Sequence, residues 1–180
     1  MTLIGIDNGA ASGGIAALSD RGRSSPFGMN KLPARIHVRK GNPDSKDKQA
    51  RLDKNFTELD AVAFTEMILA IDRPDKILAV LEDCPDHADR ASTMRSMAHC
   101  AGSILSCLAL LNIRVVRVMP HTWQGYMIGQ TIKGGTKAAA YQLARKFWPD
   151  EKFILKGCRE PNTAIVDAAL IAEYARLLKL

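Results

Sequence analysis

Residues 3–9 of the chain, LIGIDNG, combine a short apolar run with an acid and a turn. The apolar side chains favour a buried strand that ends at Asp7, and glycines at 9, 13 and 14 tolerate the positive φ angles of a tight connection. A second apolar run, GIAAL at residues 14–18, is closed by turn-forming residues at 19–22. The chain is therefore predicted to open with a β-hairpin whose first strand ends in a carboxylate.

Helical and strand patterns alternate after the hairpin and predict the element order β β β α β α β α α, in which a short helix after the last strand is not counted. Pro33 restricts the third strand to a sheet edge or to the residues after the proline. The order predicts an α/β fold with a mixed five-stranded sheet, in which the first three strands are antiparallel and the later ones parallel, flanked by helices. The elements predicted after the hairpin are a strand around Lys31–Val38, a helix at Thr57–Ile71 with Thr57 as its N-cap, a strand at Ile77–Leu81, a helix at Asp89–Leu111, a strand at Val115–Val118, a short helix at His121–Met127, and helices at Lys137–Trp148 and Thr163–Leu178.

The composition is that of an ordinary soluble globule. Of the 180 residues, 47% are hydrophobic and 24% charged, which favours a single domain over residues 1–180 and excludes a disordered or collagen-like chain. Lys and Arg number 25 against 19 Asp and Glu, a formal net charge of +6. Residues 21–56 alone hold ten bases and three acids, so the rest of the chain is nearly neutral. This imbalance raises the question of a polyanionic partner.

Residues 39–55, RKGNPDSKDKQARLDKN, carry much of that charge and have Leu52 as their one large hydrophobic residue. Such a composition predicts an exposed, flexible basic loop. From composition alone two interpretations stay open, a solvated surface insertion and a contact with a polyanion.

The sequence has neither a secretory leader nor an apolar stretch long enough to span a bilayer, so we expect a cytoplasmic protein without membrane contact. Its four cysteines lack CxxC spacing and are expected to be buried thiols. Cys84, His87, His99 and Cys100 supply four candidate zinc ligands within 17 residues. Structural zinc is thus an alternative, although adjacent ligands on one helix point to different faces.

Three acids stand where an isolated charge would be unfavourable. Asp7 and Glu82 each end an apolar strand, and Asp167 lies on a predicted helix face that is otherwise apolar. Singly, a strand-end Asp also initiates turns, and Asp167 also suits a helix dipole. Together they predict a metal site, because ligands bind at the carboxyl ends of parallel strands and Mg²⁺ prefers oxygen ligands.

Six short motifs are spread along the chain. They are IGIDNG at residues 4–9 with GGIA at 13–16, AVLE at 79–82, VMP at 118–120 with Trp123, Thr136 with Lys137, and DAALIAEY at 167–174. Together they resemble the RuvC family of Holliday-junction resolvases, especially its phage-type branch. The resemblance covers nearly the whole chain and is most specific in the first strand and the last helix. It implies a ribonuclease H-like fold, a homodimer, dependence on Mg²⁺ or Mn²⁺, and paired nicks in four-way DNA junctions during recombination and repair.

Carried over to this chain, the resemblance makes Asp7, Glu82 and Asp167 the catalytic carboxylates that hold two divalent cations. Two such ions activate water, clamp the scissile phosphate and stabilise the leaving oxygen. Lys137 matches a basic residue of the family and would neutralise the phosphate, whereas the alternative is a solvated lysine in a first helical turn. Lys133 is a further candidate in the same loop, and no organic cofactor is implied.

The sequence departs from the family pattern at two places. The family has a fourth acid three or four residues before the last one, where this chain has Thr163 and Ala164. An oxygen of Thr163, Asn162 or Glu160 is a candidate substitute. The bacterial enzyme also has an aromatic residue shortly after its strand-end glutamate, whereas residues 83–85 here are Asp-Cys-Pro, so a sequence preference at the cut does not transfer.

The resemblance favours DNA contact by the basic loop, because neutralising phosphates on several arms needs cations without base recognition. Symmetric cleavage of opposite strands would need a two-fold dimer.

The leading hypothesis is a metal-dependent crossover junction endodeoxyribonuclease in the cytoplasm of a bacterium or a phage-infected host. A nuclease acting on forks, flaps or RNA, and a non-catalytic protein that binds branched nucleic acid, are the alternatives. The candidate DNA-binding residues are Lys40, Lys46, Lys48, Arg51, Lys54 and Lys133.

Overall fold

The architecture comes from a computed structural model, which describes residues 1–9, 12–21, 25–46, 54–84, 91–129 and 136–180. Its strands are β1 Thr2–Asp7, β2 Gly14–Ser19, β3 Phe27–Lys31, β4 Ala34–Arg39, β5 Lys54–Leu59, β6 Ile77–Glu82 and β7 Arg114–Val118. Its helices are α1 Ala61–Ile71, α2 Ala91–Leu110, α3 Pro120–Ile128, α4 Thr136–Phe147 and α5 Thr163–Leu178. None of the helices in these ranges combines the length and the apolar surface needed to cross a bilayer.

The main sheet has five strands in the order β3-β2-β1-β6-β7. Its first three strands pair antiparallel, and β1, β6 and β7 run parallel. Local connections suffice for the antiparallel pairs, whereas helices lie between the parallel strands in the sequence. The predicted mixed five-stranded sheet is confirmed.

Helices cover both faces of this sheet. Side chains of α3, α4 and α5 form a core on one face, where Trp123 and Phe153 are fully buried. Side chains of α1 and α2 form the other core, around Phe64 and Ile104. Alternate residues of β1 serve the two cores, with Leu3 in the first and Ile4 in the second, as expected for a central strand.

α5 lies directly on the strands because two glycines leave room for its backbone. A Cβ at Gly5 would lie 1.9 Å from the carbonyl oxygen of Ala168, and a Cβ at Gly14 would lie 2.5 Å from that of Ala164. Only residues without a side chain fit at these contacts. The close approach sets the position of Asp167, which precedes Ala168 in the helix.

The bounds predicted for the third strand are wrong. The third strand of the main sheet is Phe27–Lys31, and residues 34–39 form β4, which pairs with β5 in a separate antiparallel sheet. At the junction the Leu32 N–H donates to the carbonyl oxygen of Gly13 at 2.9 Å, and Pro33 has no N–H to extend the ladder. The chain therefore leaves the main sheet at Pro33.

The predicted start of the first helix is also wrong. Thr57 lies in β5, and α1 is capped by Asp60, whose side chain accepts a hydrogen bond from Ala63 N at 3.2 Å. Strand pairing of residues 54–59 with 34–39 overrides the helical pattern there. The predicted loop at 39–55 accordingly has strand residues at both ends. The terminal helix at Thr163–Leu178 is confirmed with the predicted bounds.

Candidate active site

The acids that end β1 and β6 lie side by side. These neighbouring strands are parallel and pair Ile6 with Leu81, so the next residues, Asp7 and Glu82, lie at the same sheet edge. Glu82 is only 8% exposed, and Asp7 is half-buried. The two carboxyl groups are close enough for each to affect the pKa of the other.

Asp167 approaches the same edge from α5. Burial, and then the negative charge of Glu82, raise the pKa of Asp167 to about 7. Burial, followed by the charges of Glu82 and Asp167, raises the pKa of Asp7 well above its ordinary value. Burial likewise raises the pKa of Glu82. The fold thus brings the three acids into one electrostatically coupled cluster in which full ionisation is unfavourable.

Lys137 supplies positive charge to this cluster. It lies in the first turn of α4 with an exposed side chain. Its charge lowers the pKa of both Asp7 and Asp167, an effect smaller than that of burial for either acid. Lys137 is therefore near the carboxylates without neutralising them.

Trp123 holds one oxygen of Glu82, a contact that the sequence did not reveal. Its indole Nε1–H donates to Glu82 Oε1 at 2.8 Å, and the side chain is fully buried. The local fold explains the contact: Val118 of β7 pairs with Glu82, and α3 begins two residues later, so its first turn adjoins the end of β6. A buried Trp usually packs in the hydrophobic core. The one signal of a polar contact that the sequence offers is the ring N–H, which needs an acceptor when it is buried.

Asn8 fixes the chain that follows Asp7. It is 1% exposed, and its Nδ2 donates to the carbonyl oxygen of Met97 at 3.2 Å and to Cys84 Sγ at 3.4 Å. These bonds connect the end of β1 to α2 and to the residues after β6. Asn8 Oδ1 is buried and has no hydrogen-bond partner within the described part of the chain. This buried oxygen belongs to the residue that follows Asp7 in the chain, and it is an acceptor that no described donor satisfies.

The positions three and four residues before Asp167 are Ala164 and Thr163, neither of which has a carboxylate. Asn162 caps α5, and its Oδ1 accepts a hydrogen bond from Ile165 N at 3.2 Å. Ala164 is buried against the backbone of Gly14. Thr163 is exposed and shares the helix face of Asp167, so its hydroxyl stays a candidate substitute, as does the exposed Glu160.

The described members of the alternative zinc set, Cys84, His99 and Cys100, do not form a three-ligand group. Cys100 is buried, Cys84 accepts a hydrogen bond from Asn8, and His99 Nε2 lies 3.9 Å from Glu58 Oε1. His87 lies outside the described residues. Within the ranges that the structure covers, no three His, Cys, Asp or Glu side chains are arranged as ligands of one metal ion, the three acids included.

The candidate DNA-binding lysines are only partly described. Lys40 and Lys46 are exposed in the segment after β4. Lys54 begins β5, but its side chain is not described. Lys48, Arg51 and Lys133 lie outside the described residues, so their part in DNA binding stays a prediction.

The donor set fits a hard divalent cation. Asp7, Glu82 and Asp167 offer only oxygen atoms, and burial together with mutual repulsion favours a bound proton or cation over three free charges. The acids are therefore chemically suited to Mg²⁺ or Mn²⁺.

The strand order, the helices on both faces and the acids at the ends of adjacent strands define a ribonuclease H-like fold. Two solved structures are similar to this fold. The chain matches T. thermophilus RuvC in complex with Holliday junction substrate at 17% identity and a TM-score of 0.59, over 98% of this chain and 96% of that one. It matches another Thermus thermophilus RuvC structure at 14% identity and a TM-score of 0.55, over 99% and 97%. The fold is therefore RuvC-like. No family model and no curated protein matches the sequence.

Proposed function

We propose that this protein is a metal-dependent endodeoxyribonuclease that hydrolyses phosphodiester bonds in four-way or otherwise branched DNA. The observation that carries the proposal is the cluster of Asp7, Glu82 and Asp167 at one edge of a RuvC-like sheet. A phosphodiesterase without a protein nucleophile needs such carboxylates to hold cations against the phosphate.

In this proposal the three acids hold two Mg²⁺ or Mn²⁺ ions. When bound, the ions activate a water molecule and stabilise the charge that develops on the phosphate and the leaving oxygen. Asp7 and Glu82 hold their oxygens rigidly because they end hydrogen-bonded strands. The indole of Trp123 donates to Glu82 Oε1, which restrains the orientation of this carboxylate.

Lys137 has a separate part in the proposal. Its ammonium group lies close enough to act on Asp7 and Asp167, yet the side chain remains exposed. A phosphate placed at the carboxylates would therefore meet a cation that can donate to one of its non-bridging oxygens.

Branched DNA is the proposed substrate. Residues 21–56 concentrate the positive charge of the chain, which suits a ligand with phosphates on several arms. The structure matched at 17% identity is that of a RuvC bound to a Holliday junction. Paired cuts in opposite strands need two active sites, so we propose a two-fold homodimer as the working form.

Cleavage of matched synthetic substrates tests the proposal. A four-way junction, a fork, a linear duplex and an RNA duplex of shared sequence are incubated with Mg²⁺ or Mn²⁺. Wild type should cut the junction fastest, in paired positions. Glu82→Gln should retain binding but lose at least about 100-fold in cleavage rate, because a ligand is lost. Asp150→Asn, the same change at an exposed loop acid, is the control and should cut like wild type.

Three outcomes would contradict the proposal in different ways. Binding of junctions without cleavage in either metal would favour a non-catalytic protein. Faster cleavage of forks or RNA would assign another substrate. Equal cleavage by wild type and Glu82→Gln would place the active site elsewhere.

A further inference from the structure

The two-stranded sheet of β4 and β5, called here the β4–β5 ribbon, exposes apolar side chains. Ile36 is 72% exposed and Val38 is 55% exposed. They stand at alternate positions of β4, so they share one face of the ribbon. Two large β-branched side chains on one exposed strand face form a surface suited to contact with a partner.

Side chains of the ribbon other than Ile36 and Val38 contact the start of α1 and a residue of α2. Arg35 Nε donates to Asp60 Oδ2 at 2.6 Å, where Asp60 caps α1. His37 Nε2 lies 3.2 Å from Glu58 Oε2, and the other oxygen of Glu58 faces His99 of α2. With these contacts on its inner side, the ribbon is held in place while its apolar face points to solvent.

The root of the ribbon lies at the edge of the main sheet that carries the acids. Lys31, three residues before β4, pairs with Gly14, which in turn pairs with Asp7. On the other side, His99 is two residues from Met97, whose carbonyl oxygen binds Asn8. A DNA arm that leaves the carboxylates on this side would meet the ribbon.

Lysines before and after β4 outnumber the one exposed acid among them, Asp44, and favour a polyanionic partner. Lys31 precedes the ribbon, Lys40 and Lys46 follow β4, and all three are exposed. Nucleic acid combines phosphates with flat apolar base surfaces. A continuous duplex hides those surfaces in its stack, whereas a branch point interrupts the stacking and lets apolar side chains pack against bases. Apolar side chains on a strand with lysines before and after it in the sequence match this combination of phosphates and base surfaces.

We propose that the β4–β5 ribbon docks at the branch point of the DNA, where Ile36 and Val38 pack on the base pairs that end the arms. The nearby lysines hold the flanking phosphates. The inference rests on the proposed function and explains how that site would select branched over linear DNA.

Binding competition tests the ribbon directly. The variant Ile36→Thr/Val38→Thr keeps β-branched side chains and strand propensity but removes apolar surface. Its affinity is measured in EDTA for a four-way junction and for a linear duplex, both with hairpin-capped ends so that no free base pair is offered. Junction affinity should fall roughly tenfold, the effect of losing two partly buried aliphatic contacts. Duplex affinity and the salt dependence of binding should stay unchanged, because no phosphate contact is removed.

Leu110→Thr is the matched control, since Leu110 is 88% exposed at the far end of α2. It should bind both DNAs like wild type, and urea unfolding should show that all the proteins fold. An unchanged junction preference in the ribbon variant would overturn the inference, as would an equal loss for junction and duplex. A change of oligomeric mass in the ribbon variant alone would also overturn it, by making the face an interface between copies. If wild type itself shows no preference for the junction, the proposed function fails and the inference fails with it.

Discussion

Neutralising Asp167 should stabilise the metal-free protein at neutral and alkaline pH. The folded protein holds the pKa of Asp167 at about 7, against 3.8 for the free side chain. Below pH 3.8 both the folded and the unfolded chain carry the proton, and stability is unaffected. As the pH rises from 3.8 to 7, the unfolded chain ionises first, so the free energy of unfolding falls through this window and then levels off.

The size of the effect follows from the same two values. The difference between these pKa values lowers the free energy of unfolding by up to about 4 kcal/mol at pH 8. Asp167→Asn removes the ionisation and relieves Asp7 of one negative neighbour. The variant should therefore unfold at higher urea than wild type in EDTA at pH 8, and the two midpoints should converge near pH 4.

Urea unfolding at both pH values, with and without Mg²⁺, measures this directly. Saturating Mg²⁺ should stabilise wild type more than Asp167→Asn, because the variant lacks one ligand. Asp150→Asn should show neither effect, since its side chain is exposed in a loop. An Asp167→Asn protein no more stable than wild type at pH 8 in EDTA would refute the electrostatic cluster.

Three further predictions concern packing, the indole contact and the basic segment. In urea unfolding, Gly5→Ala should destabilise the protein by about 3 kcal/mol or more, because its Cβ would overlap the α5 backbone. The control Gly102→Ala, on an open helix surface, should stabilise it by up to about 1 kcal/mol, and a stable Gly5→Ala protein would contradict the close packing. In a Trp148→Phe protein, Trp123 is the remaining tryptophan, so adding Mg²⁺ should change its fluorescence emission, and adding Glu82→Gln to that protein should abolish the change. Constant emission in the Trp148→Phe protein would show that the Trp123 indole does not sense the metal site. A fourfold Ala variant should reduce the slope of log affinity for junction DNA against log salt by up to about 3.6, and an unchanged slope would favour a solvated insertion. The residues replaced in it are Lys46, Lys48, Arg51 and Lys54.

The sequence was most informative where burial is strong. The strand that ends at Glu82 lies between two cores, so its continuous apolar run left little ambiguity. The last helix was predicted with its observed bounds, because one face repeats apolar residues and 11 of its 16 residues are buried. The three acids were noticed for the same reason, since a carboxylate among apolar residues is conspicuous, and their role stays a prediction.

The β4–β5 ribbon was predicted only in part: the strand predicted around Lys31–Val38 overlaps β4, whereas the residues of β5 were assigned to a loop and a helix start. Its strands are partly basic and pair across a long connection, so nothing local distinguishes residues 54–59 from a loop or a helix start. The contact of Trp123 with Glu82 joins residues 41 apart in sequence and depends on the pairing of β6 with β7. Contacts of this kind arise from tertiary structure and leave little trace in local periodicity.

We propose that Asp7, Glu82 and Asp167 together hold the metal ions that cut DNA. The direct test is a crystal soaked in Mn²⁺ and recorded at the manganese absorption edge. Anomalous density is expected at bonding distance from oxygens of all three side chains. Manganese bound elsewhere, with none at these carboxylates, would refute the proposed site.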